Sequence, residues 1–176
     1  MYGSEQKTKT LIFTAVFTAL IAVGGWISVP LFAVPFTLQT LGVLLAASVM
    51  KRYAVLPAAL YVLLGTLGLP IFHNGTAGLG VLLGPTGGFL LGFIAMAFVA
   101  GLFFEKGKLS ADITGLVLAP LISYAAGIGW FWFSTGSGFA AALAACMIPF
   151  LPGDLIKSAA AEIVTLRRRK AGKRND

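Results

Sequence analysis

Residues Ile113 to Gly153 read "ITGLVLAPLISYAAGIGWFWFSTGSGFAAALAACMIPFLPG", 41 residues without one Lys, Arg, Asp or Glu. The run ends at "DLIK", which places Asp154 and Lys157 three residues apart directly behind a Pro-Gly. Two more charge-free runs precede it, Thr10–Met50 with 41 residues and Tyr53–Phe104 with 52. A bilayer-spanning helix needs about 20 residues, so each run holds two segments of membrane length joined by an uncharged connection. The whole chain agrees: it is 58% hydrophobic and 11% charged, with a mean hydropathy of +0.92. Charged residues make up about a quarter of an ordinary globular chain, so there is too little polar surface here to face water. The 176 residues read as one all-α integral membrane domain.

The net charge of +7 would fit a nucleic-acid partner, but its placement points elsewhere. Lys7 and Lys9 precede the first run, Lys51 and Arg52 separate the first two, and Lys106 and Lys108 separate the second and third. Arg167, Arg168, Arg169, Lys170, Lys173 and Arg174 form a basic tail over 167–176. With both termini cytoplasmic, twelve of the thirteen basic residues share that side, and the opposite loops at 29–36, 70–86 and 133–138 carry none. This is the positive-inside pattern, in which the tail anchors topology at the lipid bilayer and binds no nucleic acid.

The expected spans are 11–28, 36–50, 53–69, 87–104, 113–133 and 152–166. Pro30 and Pro35 close the first. The piece 139–148 is about 15 Å long as a helix, too short to cross, and reads as a half-helix or re-entrant piece before a span that starts at Pro152. In the rival division the sixth span is 137–152 and Asp154 opens a cytoplasmic surface helix. Both divisions give six crossings.

From Asp154 onward the polar positions 154, 157, 158, 162 and 165 fall on one helical face, with Leu155, Ile156, Ile163 and Val164 mostly on the other. On a spanning helix such a stripe faces the bundle interior or a wet cavity. Asp154 sits in the first turn, where the helix dipole favours its ionised form, and it can pair with Lys157. A self-satisfied ion pair or an interfacial amphipathic helix is the plain reading of this pattern, and ligand-binding groups in an outward-facing pocket are the reading it favours. Gln39, His73, Asn74, Thr76 and Thr86 fall at the same expected depth, and glycines crowd the segment between Gly68 and Gly88. Ala15 and Ala19 in span one, and Gly88 and Gly92 in span four, are small-xxx-small patterns that let another helix approach closely.

Other chemistry is thinly represented. "GPTGG" has no Lys, and "GLFFEKGKL" has the wrong spacing for a phosphate-binding loop. The only cysteine, Cys146, allows no intrachain disulfide, and His73 alone makes no metal site. "NGT" at 74–76 fits a glycosylation acceptor pattern. No nucleophile, base and orienter can be assembled, although Asp154 with Lys157 leaves acid–base chemistry formally open. No cleavable signal follows Leu11.

Four motifs in order, "VPFTLQTLGVLLAA" (34–47), "LGTLGLPIF" (64–72), "GLGVLLGPTGGFLLGF" (78–93) and "PFLPGDLIK" (149–157), resemble those of the BioY family. Its members are the biotin-binding S components of energy-coupling-factor (ECF) vitamin transporters. The resemblance runs from span one to the last helix. It implies a bundle of six transmembrane helices that binds biotin with high affinity near the outer surface, uses no cofactor and is not an enzyme. It also implies dependence on a transmembrane coupling protein and two ABC-type ATPases. Carried over residue by residue, it puts Asp154, Lys157 and Asn74 in the pocket, with Gln39 and Thr86, Gly87 and Gly88 near it. Ala15 and Ala19 would meet the coupling protein. Biotin's ureido ring offers two N–H donors and a carbonyl acceptor: Asp154 can accept, Asn74 can do both, and Lys157 can hold Asp154 in place or meet the valerate carboxylate. Phe32, Phe36, Leu79 and Tyr124 are candidate walls for its apolar part. An S component for another vitamin, a channel and a membrane enzyme are the rival classes. Gln39 is too isolated in the first four spans to mark a continuous polar path.

The charge pattern alone generates a labelling test. In a Cys146→Ala background, Thr135→Cys should react with an impermeant thiol reagent in whole cells and Gly107→Cys should not. The reverse result would invert the topology.

Overall fold

The structure is a computed structural model that describes residues 2–30, 34–172 and 174. Helix α1 covers Tyr2–Trp26, and a two-residue antiparallel ribbon, β1 Ser28–Val29 with β2 Phe36–Thr37, links it to α2, Gln39–Met50. A 3₁₀ turn at Lys51–Ala54 leads into α3, Val55–Thr66. The segment between α3 and α5 holds a 3₁₀ turn at His73–Gly75 and the short α4, Leu79–Leu83. Then come α5 Gly87–Glu105, α6 Leu109–Thr135, α7 Phe139–Cys146 and α8 Leu151–Gly172. Several helices outrun the apolar stretches that mark them in the sequence. Thus α1 begins ahead of Leu11 and α8 continues into the basic tail as far as Gly172.

Among the described residues, Ser4–Trp26, Gln39–Thr66, Gly87–Glu105 and Leu109–Thr135 are long and apolar enough to cross a bilayer. α7 and α8, bent by 45° to each other, pass the same test as a pair. The stretch 39–66 is not one straight rod. Gln39 at its head donates from its side-chain amide to the Tyr61 hydroxyl, whereas continuous helix would hold residues 22 apart in sequence about 33 Å apart. The chain folds back at Lys51, whose φ of 57° and ψ of −135° break the helix, so α2 and α3 run antiparallel.

The remaining directions follow from side-chain contacts. The Leu38 amide donates to Gly24 O at 3.0 Å, which sets the end of α1 beside the start of α2. The Trp26 indole donates to Pro70 O at 3.0 Å and Thr18 to Pro57 O at 3.3 Å, so α1 and α3 are parallel. Arg52 pairs with Glu105 at 2.7 Å, bringing the end of α5 to the α2–α3 turn. Ser158 of α8 reaches Leu116 O of α6, and Arg169 makes a two-pronged pair with Asp112. Six helical segments therefore alternate in direction. Lys51, Arg52, Lys106, Lys108 and the α8 tail gather at one end, and the connecting residues 27–30, 34–38, 67–86 and 136–150 gather at the other.

Packing explains the glycines and the internal proline. A Cβ on Gly88 would strike Trp130 and the Ala126 carbonyl, and one on Gly92 would lie 3.1 Å from Ser123 Cα. The Gly88–Gly92 pattern thus lets α5 and α6 pack closely within the bundle. Gly65 leaves room for the fully buried ring of Phe72, which would collide with any Cβ there and which anchors the following loop. Pro120 has no N–H, so the Leu116 carbonyl one turn earlier has no helical donor. The Ser158 hydroxyl meets it at 3.4 Å.

The outside of the bundle is apolar: Leu11, Val16, Leu63, Val117, Leu155 and Ile156 are each more than half exposed. Ala15 and Ala19 are exposed on α1, the least enclosed of the spanning helices, with 33% of its apolar stretch buried against 44–56% for the other three. Both alanine side chains thus face away from the rest of the described bundle.

Candidate functional site

Helix α8 turns its charged stripe inward. It starts at Leu151, so Asp154 falls in its first turn, and the Asp154 amide bonds Phe150 O at 2.9 Å. Asp154 and Lys157 are 8% and 5% exposed, while Leu155 and Ile156 between them are 68% and 72% exposed. Lys157 Nζ donates to Asp154 Oδ1 at 2.8 Å and to Thr40 Oγ1 at 2.9 Å, and Thr40 donates in turn to Oδ1 at 3.1 Å. The Tyr124 hydroxyl donates to the other carboxylate oxygen, Oδ2. The Phe36 ring lies under the ammonium, 3.9 Å from Nζ to centroid, and stacks on Phe150. Each charge thus has several partners, which is what burial of an ion pair requires.

These groups line a cavity at the end of the bundle opposite the basic residues. About 50 Å³ of it is open to the centre of a water molecule, within about 580 Å³ of space between the surrounding atoms that includes some open solvent. Phe89, Leu90, Phe93, Pro120 and Phe150 supply its apolar lining. Gln39 enters from the head of α2, held by Tyr61 and by the Thr37 hydroxyl, which donates to Oε1 at 2.9 Å. His73 and Thr86 enter from the α3–α5 connection, with Nε2 and Oγ1 3.4 Å apart. Burial lowers the His73 pKa below its ordinary value, which favours the neutral ring. Behind Tyr124, Asp154 and Pro120 runs an apolar groove between α6 and α8, so these three residues form the wall between cavity and groove.

Of the residues singled out in the sequence, Asp154, Lys157, Gln39, Thr86 and Tyr124 meet at this cavity. Phe36 stands just behind it, under Lys157. The structure seats Asn74 elsewhere: it is exposed, at φ 54°, beside Trp26 and Pro70 on the outer face. The buried Phe72 ring fixes the 3₁₀ turn so that His73, and not its neighbour, faces inward. Gly87 and Gly88 follow Thr86 but are not in the lining: a Cβ on Gly87 would strike the Leu82 carbonyl of α4, and one on Gly88 would strike Trp130 and the Ala126 carbonyl of α6. Leu79 is 55% exposed and not part of the lining, and Phe32 lies outside the described residues.

Thr40, Thr37 and Ser123 line the cavity and were not picked out by sequence reasoning. For the threonines a signal exists: "TLQT" places three polar side chains within four residues at the head of an otherwise apolar helix. Ser123 carries no such signal.

The model of the BioY family matches residues 2–174 of the chain. A protein of Thermotoga maritima called "Biotin transporter BioY" is 46% identical over 164 residues, covering 92% of this chain and 96% of that one. A "Probable biotin transporter BioY" of Pyrococcus horikoshii is 36% identical, with 92% and 97% covered. A crystal structure of "the S-component for biotin from an ECF-type ABC transporter" superposes with a TM-score of 0.83 at 28% identity, covering 94% of this chain and 93% of that one.

The buried pair generates a stability test. Lys157→Met should leave Asp154 charged and uncompensated, destabilising the protein by about 3 kcal/mol, toward the low end for a broken buried pair because Tyr124 and Thr40 remain. Adding Asp154→Asn should recover much of that loss in thermal unfolding. Additive losses would mean that the two charges do not support each other.

Proposed function

The chain belongs to the BioY family, and we propose that it is the biotin-binding S component of an ECF-type transporter, carrying biotin across the cytoplasmic membrane. The observation that carries this reading is the buried Asp154–Lys157–Thr40–Tyr124 cluster facing an apolar-lined cavity, in a chain 46% identical to a biotin transporter. Relatives of the chain are transporters, and it acts as one and not as an enzyme.

The chemistry of the cavity suits biotin. The Asp154 carboxylate accepts from a ureido N–H, and the Lys157 ammonium holds it in place. Gln39 and Tyr124 line the same space. The thioether ring and valeryl chain lie against Phe89, Leu90 and Phe93. The narrowness of the cavity means that its lining side chains move apart as the ligand enters.

The six alternating segments cross the membrane with both termini in the cytoplasm, so the cavity opens toward the outside. The basic end then faces the side where ATP is available. Energy comes from a transmembrane coupling protein and two ABC-type ATPases, and the exposed Ala15–Ala19 face of α1 receives the coupling protein.

Purified protein should bind biotin, measured by calorimetry or ligand retention. In folded protein, Asp154→Asn should weaken binding at least tenfold, about 1.4 kcal/mol. Undiminished affinity removes Asp154 from the site, and a wild-type protein that binds another vitamin in place of biotin defeats the assignment.

Ala15→Leu with Ala19→Leu should leave thermal stability and solitary biotin binding nearly intact, because both side chains already face outward. The pair should abolish copurification with the coupling protein and ATP-driven uptake. Retained complex formation would assign the face to lipid.

A further inference from the structure

Among the polar side chains of the cavity, Ser123 stands apart. It is 3% exposed, it lines the cavity, and its Oγ has no hydrogen-bond partner among the described residues. Other helical hydroxyls among the described residues have partners: Thr18, Thr66, Thr114 and Thr165 bond the carbonyl four residues earlier, and Ser48 and Ser134 the one three residues earlier. That local bond is how a hydroxyl is normally satisfied away from water. Ser123 does not make it. A buried hydroxyl without a partner destabilises the protein that carries it, and alanine at the same place would avoid the loss.

The hydroxyl lies against Gly92 of α5, where a Cβ would come within 3.2 Å of Ser123 Oγ and the glycine itself offers no side-chain partner. Tyr124, the next residue of α6, is committed to Asp154. The two residues thus equip the α6 side of the cavity with one hydroxyl already spent on the carboxylate and one unspent. The other unpartnered cavity group, His73 Nδ1, comes from the α3–α5 connection and not from the helices that carry the charge cluster.

We propose that Ser123 is a ligand-recognising residue whose hydroxyl hydrogen-bonds the ureido group of the bound vitamin and helps set the preference for a cyclic urea. This rests on the biotin reading above. A cyclic urea presents two N–H donors with a carbonyl between them, so Asp154 can engage only part of its polar edge. A hydroxyl is suited to the remainder because it can donate to the carbonyl or accept from the second N–H. Ordering of the Ser123 hydroxyl is then delayed until ligand arrives, and its bond is formed only in the complex.

The test is Ser123→Ala in purified full-length protein, with biotin, 2-iminobiotin (altered at the urea) and biotin methyl ester (altered at the tail) as probes. Biotin affinity should fall about fivefold, the scale of one neutral hydrogen bond. The ratio of biotin to 2-iminobiotin affinity should shrink, and the ratio of biotin to its methyl ester should not change. Thermal stability without ligand should be unchanged or higher, since an unsatisfied group has been removed. Wild-type-like biotin affinity in Ser123→Ala overturns the proposal while leaving the biotin assignment standing. A loss of ligand-free stability with an equal loss for all three probes assigns Ser123 a structural role and also overturns it. Failure of the wild-type protein to bind biotin defeats both readings together.

Discussion

A carboxylate and an ammonium are held inside a bundle whose outer surface is apolar, and the arrangement of the ligand end follows from what those two charges require. Asp154 and Lys157 neutralise each other, but each also needs hydrogen bonds that a single helix cannot supply. Thr40 brings in α2, Tyr124 brings in α6, and Phe36 offers its ring face to the ammonium. Three helices and the ribbon strand before α2 are thereby drawn to one point. The bend between α7 and α8 puts Asp154 in the first turn of α8, near the positive end of that helix. Gly153 is part of the same solution, because a Cβ there would enter the Phe36 ring.

The opposite end uses charge differently. Asp112, fully buried, receives Arg169 from the last turns of α8, and Arg168 donates to Ser48 O at the end of α2. Together with the Arg52–Glu105 pair these contacts bind helix ends at the basic end of the bundle. Helix α8 is thus fastened at both ends, to α2 and α6 each time. A ligand entering the upper cluster meets a helix whose lower end is already fixed. Helix α1 is excluded from this clamp, and its Ala15–Ala19 face is exposed.

The division of the chain into long apolar helices was legible in its sequence, because a bilayer imposes a length and a polarity that any spanning segment must obey. Charge-free runs, basic clusters between them and prolines at their ends register that constraint locally. So does the inward face of α8, since the polar positions 154, 157, 158, 162 and 165 recur at helical spacing. The two-helix character of 36–69 was also readable, from Lys51 and Arg52 in the middle of an apolar stretch.

Which groups converge on the cavity was decided by tertiary structure. Asn74 and His73 are neighbours in sequence, and only the seating of Phe72 against Gly65 determines which of them faces inward. Gly87 and Gly88 look the same on paper as glycines that admit a ligand, yet the atoms opposite them belong to Leu82, Trp130 and Ala126. Thr40 is joined to Asp154 across 114 residues of chain, and Ser123 is distinguished by a bond it does not make. Periodicity reports which face of an element is apolar. It carries no record of which atom of a distant helix will occupy the space in front of that face, and hydrogen-bond partnership depends on that.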